Sequence, residues 1–122
     1  MIWVVDDHTD TAELVVAILR RHRLAAEAFV GAAPVLQKLQ NARPDLIILD
    51  MMMPEIDGIE LLRRLRSTEG GRNIPVIIYS ADFTQKRMQE AIDLGASAYF
   101  VKGTVGFNTI LQAVSQLTHD RN

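Results

Sequence analysis

Two apolar runs that each end in acid limit what this chain can fold into. Ile2-Trp3-Val4-Val5 is followed by Asp6-Asp7, and Leu46-Ile47-Ile48-Leu49 by Asp50. Runs of this length, rich in Ile and Val, read as parallel strands buried on both faces. Each run then delivers carboxylates to the C-terminal end of its strand. In open α/β sheets ligands bind at that edge. Three carboxylates gathered there repel one another. At ~4 Å and an effective dielectric near 20, each pair costs about 4 kcal/mol. A divalent cation is the natural remedy.

The rest of the chain repeats the alternation of strand and helix. Apolar residues recur at helical spacing in five places: Ala12/Val15/Val16/Leu19, Ala32/Val35/Leu36/Leu39, Gly58/Leu61/Leu62/Leu65, Met88/Ala91/Ile92/Gly95 and Phe107/Ile110/Leu111/Val114. Strands precede these helices at about 2–5, 25–29, 45–49, 75–79 and 98–101. Asp10 with Glu13, and Asp57 with Glu60, have the spacing of a cap and its third helical residue. Asp82 and Thr84 stand where the fourth helix should start, and Pro34 suits a first helical turn. Gly95 fits a left-handed helix end. A (βα)5 order with ~20-residue units predicts a parallel sheet covered on both faces. In the doubly wound order 2-1-3-4-5 the first and third strands are neighbours, and Asp6, Asp7 and Asp50 share one crevice.

Composition narrows the possible functions. The chain has 122 residues, which suits one domain over 1–122, whole or cut from a longer protein at the polar end His119-Asp120-Arg121-Asn122. The net charge of -2, with no basic run longer than Arg20-Arg21-His22-Arg23, argues against nucleic-acid binding. There are no cysteines, so thiolate chemistry and disulfides are excluded. No apolar stretch approaches the ~18 residues of a membrane span. The first strand begins at residue 2, leaving no room for a signal peptide, and cytoplasmic residence is the expectation.

The same edge carries more than acids. The fourth strand leads into Ser80-Ala81, and the fifth into Lys102. A nucleophilic carboxylate, two further carboxylates for a metal, a hydroxyl and an ammonium suit phosphoryl transfer to an aspartate. An oxygen-only ligand set with an open position favours Mg²⁺. In order and at these separations, Val4-Val5-Asp6-Asp7, Asp50-Met51-Met52-Met53-Pro54, Asp57-Gly58, Ser80-Ala81, Gly95-Ala96 and Lys102 resemble the receiver domain of two-component response regulators, across essentially the whole chain.

The resemblance implies a flavodoxin-like α/β fold and assigns roles. Asp50 resembles the phosphoacceptor. Asp7 and Asp50, with the backbone carbonyl of Met52, resemble direct Mg²⁺ ligands, and Asp6 a ligand through water. Lys102 resembles the lysine that pairs with the phosphoryl oxygens. Ser80 and Tyr99 resemble the switch hydroxyl and its aromatic partner. The phosphoryl donor would be a histidine kinase or a phosphotransfer protein, docking on Thr11, Leu14 and Ile18 of the first helix. Such a domain catalyses only its own phosphorylation and dephosphorylation and turns over no external metabolite.

Two departures stand out. Gly103 follows Lys102 where the family usually has proline, so a trans bond and a looser loop are expected there. The polar positions of the fifth helix, Asn108, Thr109, Gln112, Ser115, Gln116 and Thr118, carry no charge, and a monomer or weak dimer is expected. Met52 and Asp82, each two residues past a site residue, stand where the family tunes phosphoryl lifetime. A receiver fold that works without phosphate is the competing reading, against which the complete acid, hydroxyl and lysine set counts. A hydrolase or flavin binder on the same fold is disfavoured by Met52, which stands where a second catalytic acid would be needed, and by the lack of a hydroxyl-rich phosphate loop after the first strand. His8 reads as a rim residue, and His22 and His119 as helix-end residues.

Overall fold

The computed structural model describes the backbone of residues 1–119 and side chains through residue 118. The side chain of His119 and the tail 120–122 lie outside the described residues. The element order is β1 (Ile2–Asp6), α1 (Thr9–Arg21), β2 (Ala26–Val30), α2 (Ala33–Lys38), β3 (Leu46–Leu49), α3 (Gly58–Ser67), β4 (Val76–Ser80), α4 (Gln85–Asp93), β5 (Ala98–Val101) and α5 (Phe107–His119). All strand pairs are parallel, in the order β2-β1-β3-β4-β5. The doubly wound α/β fold read from the alternation is the fold observed.

The uninterrupted apolar runs make sense because helices cover both faces. Residues of one strand alternate between two cores. Trp3, Val5, Ile47, Leu49 and Ile78 pack with Val35, Leu61, Leu62, Leu65 and Ala91 from α2, α3 and α4. Ile2, Val4, Leu46, Ile48 and Ile77 pack with Ala12, Val15, Leu19, Ile110 and Val114 from α1 and α5. Trp3 and Phe29 touch with ring centroids 4.9 Å apart. Among the described residues no helix is long and apolar enough to cross a membrane.

Several local expectations hold. The Asp57 carboxylate accepts the Glu60 N–H at 2.9 Å and caps α3. Pro34 lies in the first turn of α2, Gly95 has φ +85, and the ring of His22 meets the Ile18 carbonyl at the end of α1.

Two expectations fail. Asp10 does not cap α1: the helix starts at Thr9 with His8 at its N-cap, and Asp10 lies inside the first turn. The turn forms earlier because the Asp6 carboxylate accepts the His8 N–H at 2.9 Å. On α4, Ile92 is exposed although its spacing placed it in the core. This helix rests on α3 and on the half-exposed edge strand β5, so only Ala91 is fully buried. Leu94, just past the helix end, packs against the core instead.

At the N-terminal edge of the sheet, charges are satisfied locally. The Arg66 guanidinium donates to the carbonyls of Gly71, Ile74, Leu94 and Gly95 at 2.9–3.0 Å. It joins the end of α3 to the entrances of β4 and β5. Arg20 donates to the Ala26 carbonyl, and the Met1 ammonium meets Asp45 at 2.6 Å.

Candidate functional site

Register builds the site. Val5 pairs with Leu49, so the next residues out, Asp6 and Asp50, stand side by side on adjacent strands. The Asp50 N–H donates to the Val5 carbonyl at 2.9 Å. Ser80 pairs with Val101, and the Lys102 N–H donates to the Ser80 carbonyl at 2.8 Å. Four strands thus bring Asp6, Asp50, Ser80 and Lys102 to one edge. Asp6, Asp50 and Ser80 are buried.

Lys102 serves two acids unequally. Its Nζ donates to Asp6 Oδ2 at 2.8 Å and lies 3.6 Å from Asp50 Oδ2. Burial works to raise the pKa of Asp6, but the Lys102 ammonium, by hydrogen bond and by charge, together with the His8 N–H and the nearby His8 side chain, outweighs it and holds the carboxyl below its usual value. Asp50 goes the other way. Burial raises its pKa and the neighbouring Asp6 adds to the rise, against the opposing Ser80 hydroxyl, Met52 N–H and Lys102. Burial opposes the charge on Lys102, yet Asp6 and Asp50 together raise its pKa, so it stays an ammonium. Asp50 is therefore the less neutralised carboxylate of the pair.

The donor set fits a hard cation. Asp6, Asp7, His8 and Asp50 each offer a ligand atom, and these lie within 4.8 Å of one another. The Oδ1 of Asp7 is buried without a hydrogen-bond donor; His8 Nδ1 lies 3.0 Å away but outside hydrogen-bonding geometry. A buried carboxylate oxygen with no donor is a place for a cation. Three carboxylates suit Mg²⁺ better than a soft metal. The His8 side chain is 72% exposed, which puts it on the rim as expected.

The Met51-Met52-Met53 run divides by function. Met51 and Met53 are buried core residues, whereas Met52 is 54% exposed and its N–H donates to Asp50 Oδ1 at 3.2 Å. Ser80 Oγ accepts the Asp82 N–H at 3.2 Å, and the Tyr99 hydroxyl donates to the Asp82 carbonyl at 2.7 Å. Burial, followed by the nearby Asp82 charge, raises the Tyr99 pKa. On α1, Leu14 is 61% exposed, and Thr11 and Ile18 are half-buried. Gly103 has φ +86 and no peptide bond is cis among the described residues, so the Lys102–Gly103 bond is trans.

Sequence reasoning missed Arg87. This residue lines a cleft of about 570 Å³ with Asp7, Met51, Met52, Met53, Pro54, Asp57 and Asp82. Its Nη2 lies 3.3 Å from Asp57 Oδ2 and 3.4 Å from the Met51 carbonyl, and its Nε 3.3 Å from Asp82 Oδ2. Nothing in the sequence around it distinguishes this arginine from a solvated one on a polar helix. Asp57 and Asp82 were legible as helix-start residues and, through the family resemblance, as positions near the site, but not as partners of an arginine.

Comparison with known proteins agrees with this geometry. Residues 2–115 match the family model described as the response regulator receiver domain. The transcriptional regulatory protein CreB of Escherichia coli is 32% identical over 83% of this chain, which spans 43% of CreB. The chain spans well under half the length of the curated relatives it first matches. The receiver domain of a Francisella response regulator superposes with a TM-score of 0.88 at 26% identity, covering 99% of this chain and 98% of that one. The receiver domain of a sensor histidine kinase from Pseudomonas aeruginosa, solved with magnesium in its active-site cleft, has a TM-score of 0.85 at 21% identity over 97% and 96% of the two chains and shares the fold. With its sheet order, its acid edge and a family match across nearly its whole length, the chain belongs to the response regulator receiver domains of two-component systems.

Proposed function

We propose that this domain is a Mg²⁺-dependent phosphoacceptor, taking a phosphoryl group onto Asp50 from the phosphohistidine of a histidine kinase or phosphotransfer protein. The observation that carries the reading is the unequal sharing of Lys102, at 2.8 Å from Asp6 and 3.6 Å from Asp50. Asp50 is left buried, under-neutralised and next to the buried, donorless Asp7 Oδ1. An oxygen of Asp50 attacks phosphorus, the P–N bond breaks, and its electron pair leaves with the imidazole. Lys102 stands within reach of the incoming phosphoryl oxygens, and Ser80 offers a hydroxyl from the next strand. Asp6, Asp7, Asp50 and the Met52 carbonyl would hold Mg²⁺, which supplies charge neutralisation for the transferring group.

Phosphorylation adds up to ~2 negative charges and strong acceptors. Ser80 and Tyr99, both tied to Asp82, would respond to them. Thr11, Leu14 and Ile18 are the proposed docking residues for the phosphoryl donor, Leu14 foremost because it is the most exposed of the three. We place the domain in the cytoplasm, as a monomer or weak dimer, with a signalling output outside these residues.

The test is incubation with Mg²⁺ and acetyl phosphate, or with beryllofluoride as a mimic, followed by intact-mass or NMR readout. Wild type gains the group and Asp50→Asn does not. Equal response of the two proteins, or none in either, refutes the reading and leaves the phosphate-independent module.

A further inference from the structure

We propose that Arg87 is a positioning residue, a clasp between the β3–α3 and β4–α4 loops that holds Ser80 and Tyr99 in their resting arrangement. Resting on the phosphoacceptor reading, this means that phosphorylation of Asp50 works against the clasp.

Arg87 sits in the first turn of α4, where the helix dipole disfavours a cation. Its place must therefore be set by contacts beyond the helix. Those contacts reach two loops. On one side are the Met51 carbonyl, one residue after the phosphoacceptor, and Asp57, which caps α3. The Gly58 N–H donates to the same Met51 carbonyl at 3.1 Å, so Arg87 grips a loop already folded onto α3. On the other side is Asp82.

Asp82 gathers the switch contacts. Its N–H donates to Ser80 Oγ, its carbonyl accepts from Tyr99, and its Oδ1 accepts the Thr84 N–H at 2.9 Å where α4 begins. Holding the Asp82 side chain therefore holds the partners of both switch residues. All three Arg87 contacts measure 3.3–3.4 Å, and the buried Nε lacks an acceptor in hydrogen-bonding geometry. These lie beyond the usual N–H···O range, so charge more than hydrogen bonding maintains the clasp. It is built to hold and to release.

A phosphoryl group on Asp50 draws the Ser80 hydroxyl as a donor. Ser80 Oγ can follow the phosphoryl oxygen and still accept the Asp82 N–H only if Asp82 moves with it, and Arg87 resists any movement of Asp82. By linkage, a group that favours the resting arrangement weakens binding of whatever favours the other.

Arg87→Gln should bind beryllofluoride, in the presence of Mg²⁺, about 3–10-fold more tightly than wild type. Arg87→Lys, which keeps the charge but not the fork, should fall between the two. In an Asp82→Asn background, Arg87→Gln should add little. Without the mimic, the Asp82 and Thr84 amides should exchange several-fold faster in Arg87→Gln. A gain of affinity separates this role from a merely structural one, because a loosened fold binds more weakly. Normal mimic binding by wild type with unchanged or weaker affinity in Arg87→Gln overturns the clasp alone. Failure of wild type itself to bind the mimic overturns the phosphoacceptor reading and the coupling with it.

Discussion

The two edges of the sheet carry charge in opposite ways. At the N-terminal edge the buried part of Arg66 meets four backbone carbonyls, Arg20 meets a fifth, and the Met1 ammonium meets Asp45. Each of these three cations is matched by an acceptor within the chain, Arg66 and Arg20 by backbone carbonyls. At the C-terminal edge three carboxylates gather, only Asp6 and Asp50 share Lys102, and the buried Asp7 Oδ1 has no donor. The first edge is finished by folding; the second has a deficit of positive charge that a cation can make up. Strand direction sets the asymmetry, since the crevice at the strand carboxyl ends opens where β1 and β3 lie together.

The largest expected effect separates the edges directly. Arg66→Ala removes the guanidinium from four carbonyls, three of the contacts partly buried, and should cost about 3 kcal/mol of stability in urea unfolding. Lys102→Ala removes the cation shared by Asp6 and Asp50 and should cost about as much in metal-free buffer. Mg²⁺ should then restore much of the Lys102→Ala loss and none of the Arg66→Ala loss. In wild type, Mg²⁺ at about a hundred times its dissociation constant adds about 2.7 kcal/mol. Equal response of the two variants to Mg²⁺ would mean that the edges do not differ in this way.

Much of this contrast was legible in the sequence, though unevenly. The acid edge could be read because apolar runs reveal buried strands, and strand direction places whatever follows them. Asp6, Asp7, Asp50, Ser80 and Lys102 all follow from that rule. The neutral edge could not be read. Arg66 looks like any polar residue at the end of α3, and its four acceptors come from two loops, one directly after α3 and the other 28–29 residues further on. Arg87 was hidden for the same reason, because its partners belong to loops whose approach only the fold creates. The Asp10 cap failed because the Asp6 carboxylate had already turned the chain. Ile92 failed because periodicity records an apolar stripe but not how far the neighbouring layer extends over it.

Within the acid edge a smaller comparison is open. Asp6 and Asp50 are equally buried, with side chains 5% exposed, yet their pKa values move in opposite directions. Replacing a carboxylate whose charge is disfavoured should stabilise, and replacing one whose charge is favoured should destabilise. In metal-free buffer Asp50→Asn should therefore raise the urea midpoint and Asp6→Asn should lower it.

The dependence on pH follows the same signs. The lowered pKa of Asp6 contributes stability above its unfolded value, lost as pH falls through the folded value. The raised pKa of Asp50 contributes stability below its unfolded value, lost as pH rises through the folded one. Asp50→Asn should therefore steepen the rise of stability with pH between about pH 2 and 6, and Asp6→Asn should flatten it. Urea midpoints across that range decide it. Parallel profiles for the two variants would show that Lys102 neutralises both acids alike.

The smallest effect compares one backbone conformation at both edges. Gly103 beside Lys102 has φ +86, and Gly95 beside Arg66 has φ +85. A side chain at either position meets the left-handed penalty, about 1 kcal/mol for alanine. At Gly103 an added Cβ meets nothing within 4 Å, whereas at Gly95 it lies 3.1 Å from Arg66 Nε. Gly103→Ala should thus cost about 1 kcal/mol. Gly95→Ala should cost more, because it also presses on the guanidinium that four carbonyls hold in place. Proline at Gly103 cannot reach a positive φ, and the Thr104 N–H closes a turn onto the Val101 carbonyl there. Gly103→Pro must therefore rebuild that turn, and amide exchange at Thr104 should accelerate. Unchanged exchange at Thr104 would show that this turn tolerates proline and that the glycine is not what sets the Lys102 loop.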